Sequence, residues 1–301
     1  MGTGHPRGYP NYTLLEWSIL LGLEKLVDVK PPIPPTVIEY RDIVYKTTES
    51  RPLKLDIYHP RNLDKPTPVL IFIHGGAWKS GDKSDYLRYL VDFAERGYVT
   101  VSLSYRFSQE AVFPAAVKDV KCALKWIRSH AEDYFIDPNQ IAVIGGSAGG
   151  HLAMMIGYSP ETEIFEGNCD CDSISSRVNA VVNLYGAVDL TTDFAIAQQS
   201  AKQFIGGEYN DHKEAYQNAS PINYITKDDP PTLIFHGTLD TIVPVDQADI
   251  LTDKLTKVGA PFIYHRLKGW PHTMDAAMSV NQFCQSEMMK FFETYVPLSN
   301  E

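Results

Sequence analysis

Apolar and polar positions along this chain follow two periods. Leu53, Leu55 and Ile57 are interleaved with Lys54 and Asp56, a period of two that predicts a strand with one exposed face. Val69-Leu-Ile-Phe-Ile73 is apolar throughout and predicts a strand buried on both faces. Phe113, Ala116, Val117, Val120, Leu124 and Ile127 recur at spacings of three and four, which is one face of a helix. The same reading predicts further strands over 37–47, 98–105, from Ile141, over 180–185, 232–235 and 262–267. Further helices are predicted near 86–96, from His151, near 194–206, along Ala248, Leu251, Leu255 and Val258 up to Gly259, and from about 273 to 295. The first two strands predict an antiparallel hairpin at a sheet edge. Strands and helices then alternate without repeat or compositional break. This predicts one α/β unit over 36–301, with about eight mostly parallel strands flanked by helices.

Two segments fall outside the alternation. Residues 1–35 form an N-terminal segment in which Thr13–Val27 predicts a helix, followed by a stiff Lys30-Pro-Pro-Ile-Pro-Pro35 linker. The helix is apolar on more than one face. Packing on the domain is expected first, with a cap over the pocket or a contact with a membrane surface as alternatives. Residues 158–177 are polar and irregular and predict an inserted loop.

Composition narrows the classes of partner. With 27 Lys and Arg against 37 Asp and Glu, the net charge is −10, which disfavours nucleic acid and anionic membranes. No apolar run reaches the length of a membrane span, and no signal peptide is visible. The expectation is a soluble chain, cytoplasmic or exported with its signal removed, and nothing sets its oligomeric state; a homo-oligomer stays open. Cys122 and Cys284 fall on helix faces and read as core thiols. Cys169-Asp-Cys171 is a pair with no second pair, so no zinc site is predicted, although a disulfide stays open there. No dinucleotide or phosphate-loop fingerprint is present, so no cofactor or metal is expected.

The chemistry gathers at strand ends. Gly145-Gly-Ser147-Ala-Gly149 joins an apolar strand to a helix and matches G-x-S-x-G, the pattern that holds a serine on a sharp strand-to-helix turn. A serine hydroxyl needs a base, and the base an orienting acid, in the chain order Ser, acid, His. Asp240 follows the strand from Thr232, and His272 follows the last strand. Asp189 is the rival acid. His74 and His236 precede glycines and are expected to shape turns, while His151 lies inside the helix after the serine. Gly75, Gly76 and the N–H of Ala148 are candidate donors to a developing oxyanion. Trp78, Tyr105, Trp270 and residues 158–177 are candidate pocket walls.

His74-Gly-Gly-Ala-Trp78, Tyr105-Arg106, Pro114 to Trp126, Ile144 to His151, His236-Gly-Thr-Leu-Asp240 with Val243-Pro244, and His272 together resemble the α/β-hydrolase fold. Within it the chain is similar to the carboxylesterase group related to hormone-sensitive lipase and to feruloyl-esterase-like BD-FAE enzymes. The resemblance implies Ser147 as nucleophile, His272 as general base then acid, Asp240 as its orienter, and Gly75, Gly76 and Ala148 as the oxyanion hole. It implies a small-molecule ester as substrate, of short or medium acyl chain or of an acylated sugar. An arylformamidase-like amidase is the nearest alternative, and a non-catalytic binding protein on this scaffold a more distant one. Two positions depart from the hormone-sensitive-lipase pattern, which usually has Asp where Gly146 stands and a third glycine where Ala77 stands.

Overall fold

The computed structural model describes residues 5–160, 162–167, 169 and 173–299. Helix α1 (Tyr12–Leu20) leads to strands β1 (Val37–Thr47), β2 (Pro52–Pro60) and β3 (Thr67–Ile73). Helix α2 (Leu87–Glu95), β4 (Val99–Leu103), α3 (Ala115–Ser129), β5 (Ile136–Gly146) and α4 (Ala148–Tyr158) follow. After β6 (Ala180–Leu184) come three short helices, α5 (Asp193–Ala197), α6 (Gln199–Ile205) and α7 (Lys213–Asn218). The chain ends with β7 (Thr232–Gly237), α8 (Asp246–Val258), β8 (Phe262–Leu267) and α9 (Met278–Tyr295).

The eight strands form one sheet in the order β1-β2-β4-β3-β5-β6-β7-β8. The β1–β2 hairpin lies at one edge, and β2 pairs antiparallel with β4. Every later pairing is parallel. Because strand side chains alternate, the all-apolar run 69–73 of β3 serves two cores at once. Val69, Ile71 and Ile73 join the layer with α3, α4 and α8, while Leu70 and Phe72 join the layer with α2 and α9. The central strands β3 and β5 end side by side, and the chemistry collects at that end.

Two expectations need correction. Helix α1 stops at Leu20, because Gly22 takes a left-handed φ of 70° that turns the chain. Leu26 then forms a bridge to Ala277 instead of extending the helix. One face of α1 packs on the domain, with Leu15 and Ile19 against the second core, while Leu14, Trp17, Leu20, Leu21 and Leu23 are exposed. Cys122 is not a free core thiol, since it forms a disulfide with Cys169. Cys284 is the buried free cysteine, and Cys171 lies outside the described residues.

The described part of the 158–177 stretch packs on α3, away from the site. Phe165 is fully buried, and Glu166 receives Lys121 Nζ at 2.8 Å and Lys125 Nζ at 2.5 Å. The disulfide anchors the same stretch and spans a sequence separation of 47 residues. Loop closure of that size stabilises by about 2–4 kcal/mol through the unfolded chain. The Cys122→Ala/Cys169→Ala variant is therefore expected to lose about that much unfolding free energy in urea titrations. An unchanged value would remove the disulfide from the stability of this fold.

Candidate active site

Ser147 stands between the end of β5 and the start of α4, with φ 56° and ψ −121°. This is strained for a residue with a side chain and costs about 1–3 kcal/mol. Backbone neighbours on both sides enforce it. A Cβ on Gly145 would lie 2.2 Å from the Gly149 carbonyl oxygen, and one on Gly149 would lie 2.0 Å from that of Ile73. These two glycines let β5, α4 and β3 pass in contact. The turn is pinned by Ser147 N–H donating to Leu184 O at 2.9 Å and by His151 N–H donating to Ser147 O at 3.0 Å.

Ser147 Oγ lies 3.0 Å from His272 Nε2, and His272 Nδ1 lies 2.6 Å from Asp240 Oδ2. An ionised carboxylate only accepts, so Nδ1 carries the proton and Nε2 is left to accept from the serine. His272 sits in the loop after β8, and Asp240 in the loop after β7. The other oxygen of Asp240 accepts the N–H groups of Ile242 at 2.9 Å and Val243 at 2.8 Å. The rival Asp189 is engaged elsewhere, accepting both the N–H and the hydroxyl of Thr191.

His236 has a role here that the sequence reading did not find. Its Nε2 donates to Val243 O at 2.8 Å and also faces Asp240 Oδ2 at 3.3 Å. The spacing of four residues between His236 and Asp240 was the available signal, but a turn-forming histidine reads the same way. Burial pushes the Asp240 carboxyl up. The hydrogen bonds of His236 and His272, the attraction of His272 and the Val243 N–H outweigh it and hold the carboxyl at about 2.

The His74-Gly-Gly-Ala-Trp78 loop passes directly beside the serine. A Cβ on Gly75 would lie 3.4 Å from Ser147 Cβ, and Gly76 has φ 101°. Ala77 and Trp78 also take positive φ, 54° and 56°. Ala77 thus holds the backbone conformation that a glycine favours, which makes its departure from the glycine pattern one of composition and not of shape. Ala148 is the first residue of α4, so its N–H has no acceptor within the helix and lies one residue from Ser147. Gly75, Gly76 and Ala148 are therefore gathered around one side of the serine.

The expected pocket walls separate. Trp78 lines a small apolar cavity of about 60 Å³ beside Ser147, with Ala148, Leu190, Phe194 and Val243. Its ring stacks on Phe204, and its Nε1 donates to His151 Nδ1 at 3.2 Å. Burial lowers His151 to about 4, so its ring is neutral at pH 7. Tyr105 is not a wall: it is fully buried, stacks on His74 and donates to His74 O at 3.0 Å, supporting the glycine loop from below. Trp270 is not a wall either, being 1% exposed in the second core against Tyr9. A larger cavity of about 480 Å³ opens on the other side of Ser147 and includes His272, Tyr86, Tyr185 and Asp275. Val27 and Val29 of the N-terminal segment line it, whereas the described residues of the 158–177 stretch line neither cavity. Among the described residues no helix is long and apolar enough to cross a membrane.

A mostly parallel eight-stranded sheet that brings a strand-to-helix serine, a histidine and an aspartate together at its carboxyl end defines the α/β-hydrolase class. Residues 55–255 match the BD-FAE family model, and the chain belongs to that family. It is 33% identical over 247 residues to LipM of Mycobacterium tuberculosis, named a probable carboxylic ester hydrolase; the match covers 76% of this chain and 57% of LipM. It is 29% identical over 251 residues to ICME of Arabidopsis thaliana, named an isoprenylcysteine alpha-carbonyl methylesterase, covering 77% of this chain and 56% of ICME. The chain thus spans little more than half the length of these relatives. Among solved structures, a truncated carbohydrate esterase from gut microbiota superposes with a TM-score of 0.78 at 28% identity, covering 88% of this chain and 99% of that one. The apo form of Thermogutta terrifontis esterase 2 superposes with a TM-score of 0.75 at 26% identity, covering 91% of this chain and 100% of that one.

The Asp240 pKa makes a prediction about stability. Its folded value is depressed from 3.8 to about 2, so its contribution is complete above the ordinary value and is lost as pH falls toward 2. The full shift corresponds to about 2 kcal/mol. The difference in unfolding free energy between wild type and Asp240→Asn is expected to narrow by about 2 kcal/mol from about pH 6 to about pH 2. Urea unfolding at both pH values measures it, and a pH-independent difference would show that Asp240 titrates normally in the fold.

Proposed function

We propose that this chain is a serine carboxylesterase that acts through an acyl-Ser147 intermediate. The observation that supports this most is the continuous hydrogen-bonded series Ser147 Oγ, His272 Nε2, His272 Nδ1, Asp240 Oδ2 beside two open cavities. The esterase names of LipM, ICME and the gut carbohydrate esterase agree with it.

In this reading Ser147 Oγ attacks the ester carbonyl carbon while His272 Nε2 takes its proton. The carbonyl oxygen becomes an oxyanion and accepts the N–H groups of Ala148 and the Gly75–Gly76 loop. As the tetrahedral intermediate collapses, His272 returns the proton to the departing alcohol oxygen. Water then enters, gives its proton to His272, and attacks the acyl carbon. The second collapse releases the acid and restores Ser147. Asp240 stays ionised throughout and stabilises the imidazolium.

The cavities divide between the two halves of the ester. The alcohol must leave beside the imidazole that protonates it, and His272 lines the larger cavity and not the smaller. The larger cavity is therefore assigned to the alcohol and the 60 Å³ cavity to the acyl group. That space suits acetyl and slightly longer acyl groups. Val27 and Val29 of the N-terminal segment act as a partial cover of the alcohol side.

Hydrolysis of p-nitrophenyl acetate, butyrate and octanoate tests this. kcat/KM is expected to be highest for acetate and lowest for octanoate. Ser147→Ala is expected to lower kcat by roughly 10⁴-fold or more with the fold unchanged by circular dichroism. Retained turnover in that variant would reject the nucleophile, and a preference for octanoate would reverse the assignment of the cavities.

A further inference from the structure

Gly146 directly precedes the serine, and a side chain there has no room. A Cβ on Gly146 would lie 2.0 Å from Tyr86 Oη and 3.0 Å from Tyr185 Oη. Two phenol oxygens from distant parts of the chain therefore converge on one point, a single residue from Ser147. Behind them lies a buried carboxyl. Tyr185 Oη donates to Asp275 Oδ1 at 2.5 Å, and Tyr89 Oη donates to Asp275 Oδ2 at 3.2 Å. Asp275 comes three residues after His272, and the Tyr185 ring packs edge-on against His272 with centroids 4.8 Å apart. Tyr185 holds this position with φ 46°, a left-handed conformation that a tyrosine adopts at a cost. Tyr86, Tyr185, Asp275, His272 and Ser147 all line the larger cavity.

We propose that the Tyr86–Tyr185–Asp275 cluster is a binding site for a free hydroxyl on the alcohol half of the substrate, close to the scissile bond. The proposal rests on the serine-esterase reading above and on its assignment of the larger cavity to the alcohol. The chemistry of the cluster selects the ligand. The hydrogen of the Tyr185 hydroxyl is committed to Asp275, so towards the cavity that oxygen offers a lone pair. The Tyr86 hydroxyl can both donate and accept. A ligand hydroxyl, itself both donor and acceptor, meets the two together. An ammonium group fits less well. Both Asp275 oxygens already accept phenol hydrogens, and the other charged residues of the lining are mixed in sign, Lys79 and Arg88 beside Asp85, so no free anionic partner is concentrated there. A plain alkyl alcohol would cover these polar oxygens and return no hydrogen bond. A site built to pair with a substrate hydroxyl rejects the analogue that lacks it far more strongly than an apolar pocket rejects one methylene.

Glycerol 1-monoacetate and propyl acetate share the acyl group and a three-carbon alcohol skeleton and differ in the free hydroxyls. Wild type is expected to prefer the monoacetate by roughly tenfold or more in kcat/KM. Tyr86→Phe removes one hydroxyl and keeps the ring, and is expected to reduce that preference roughly tenfold, through KM for the monoacetate. Asp275→Asn is expected to reduce it in the same direction. Equal hydrolysis of the two esters by wild type would overturn the site. So would a preference that survives in Tyr86→Phe, or a loss that falls equally on both esters. If wild type hydrolyses neither these nor the p-nitrophenyl esters, the esterase reading fails and the hydroxyl site with it. Good turnover of both without preference overturns the hydroxyl site alone.

Discussion

The left-handed backbone at Ser147 is the constraint around which the rest of the molecule is arranged. Three chain segments must meet in backbone contact there, and glycine at 145 and 149 is what allows it. The strain is of order 1–3 kcal/mol and survives because the neighbours over-determine it. Helix α4 is buried along its whole length against the central strands, so the turn cannot relax without opening the core layer that α4 shares with α3 and α8. That burial also fixes where the helix N-terminus points. The serine stands at the N-terminus of α4, where the first N–H groups have no acceptor within the helix.

A serine hydroxyl is a weak nucleophile unless a base is held at hydrogen-bond distance, and the same sheet places the His272 imidazole there. β7 and β8 lie outward from β5 and β6, so the loops that follow them reach back over the carboxyl end. Asp240 is tied by two backbone N–H groups on one oxygen and by two imidazoles on the other. Those donors keep a buried carboxyl ionised against the cost of desolvation. With the acid fixed, the tautomer and direction of His272 follow from which atom can donate.

Much of this was legible in the sequence because the relevant signals are local. Period-two and all-apolar runs marked the eight strands, and the glycines around Ser147 and in His74-Gly75-Gly76 marked the two turns. Asp240 and His272 could be read from their positions just after strands. What was not legible depends on distance. Cys122 looks like any buried helical cysteine until the 158–177 loop brings Cys169 against it. Tyr105 and Trp270 have the size of pocket walls, but packing turns both inward. The apolar run after Thr13 has the composition of a longer helix, yet one glycine at a left-handed φ ends it, and its leucines other than Leu15 stay exposed. His236 and Asp240 show the same limit. Their spacing is visible, but their meeting depends on how the loop after β7 folds back.

The departures from the hormone-sensitive-lipase pattern show how one small change redirects a site. Where that pattern usually has an aspartate before the serine, this chain carries Gly146, and the space belongs to two tyrosine hydroxyls instead. The carboxyl in this region comes from Asp275, on the segment that also carries His272, and it is held by phenols. A carboxylate on the nucleophile turn would be rigid and charged; a phenol pair backed by a buried carboxyl is neutral at its surface and can donate as well as accept. At Ala77 the opposite occurs, since the residue changes and the backbone conformation does not. The glycine loop and the serine turn are therefore held to one geometry by close backbone contact. What differs is the side-chain chemistry packed against Gly146, where Tyr86 and Tyr185 stand, and both line the larger cavity.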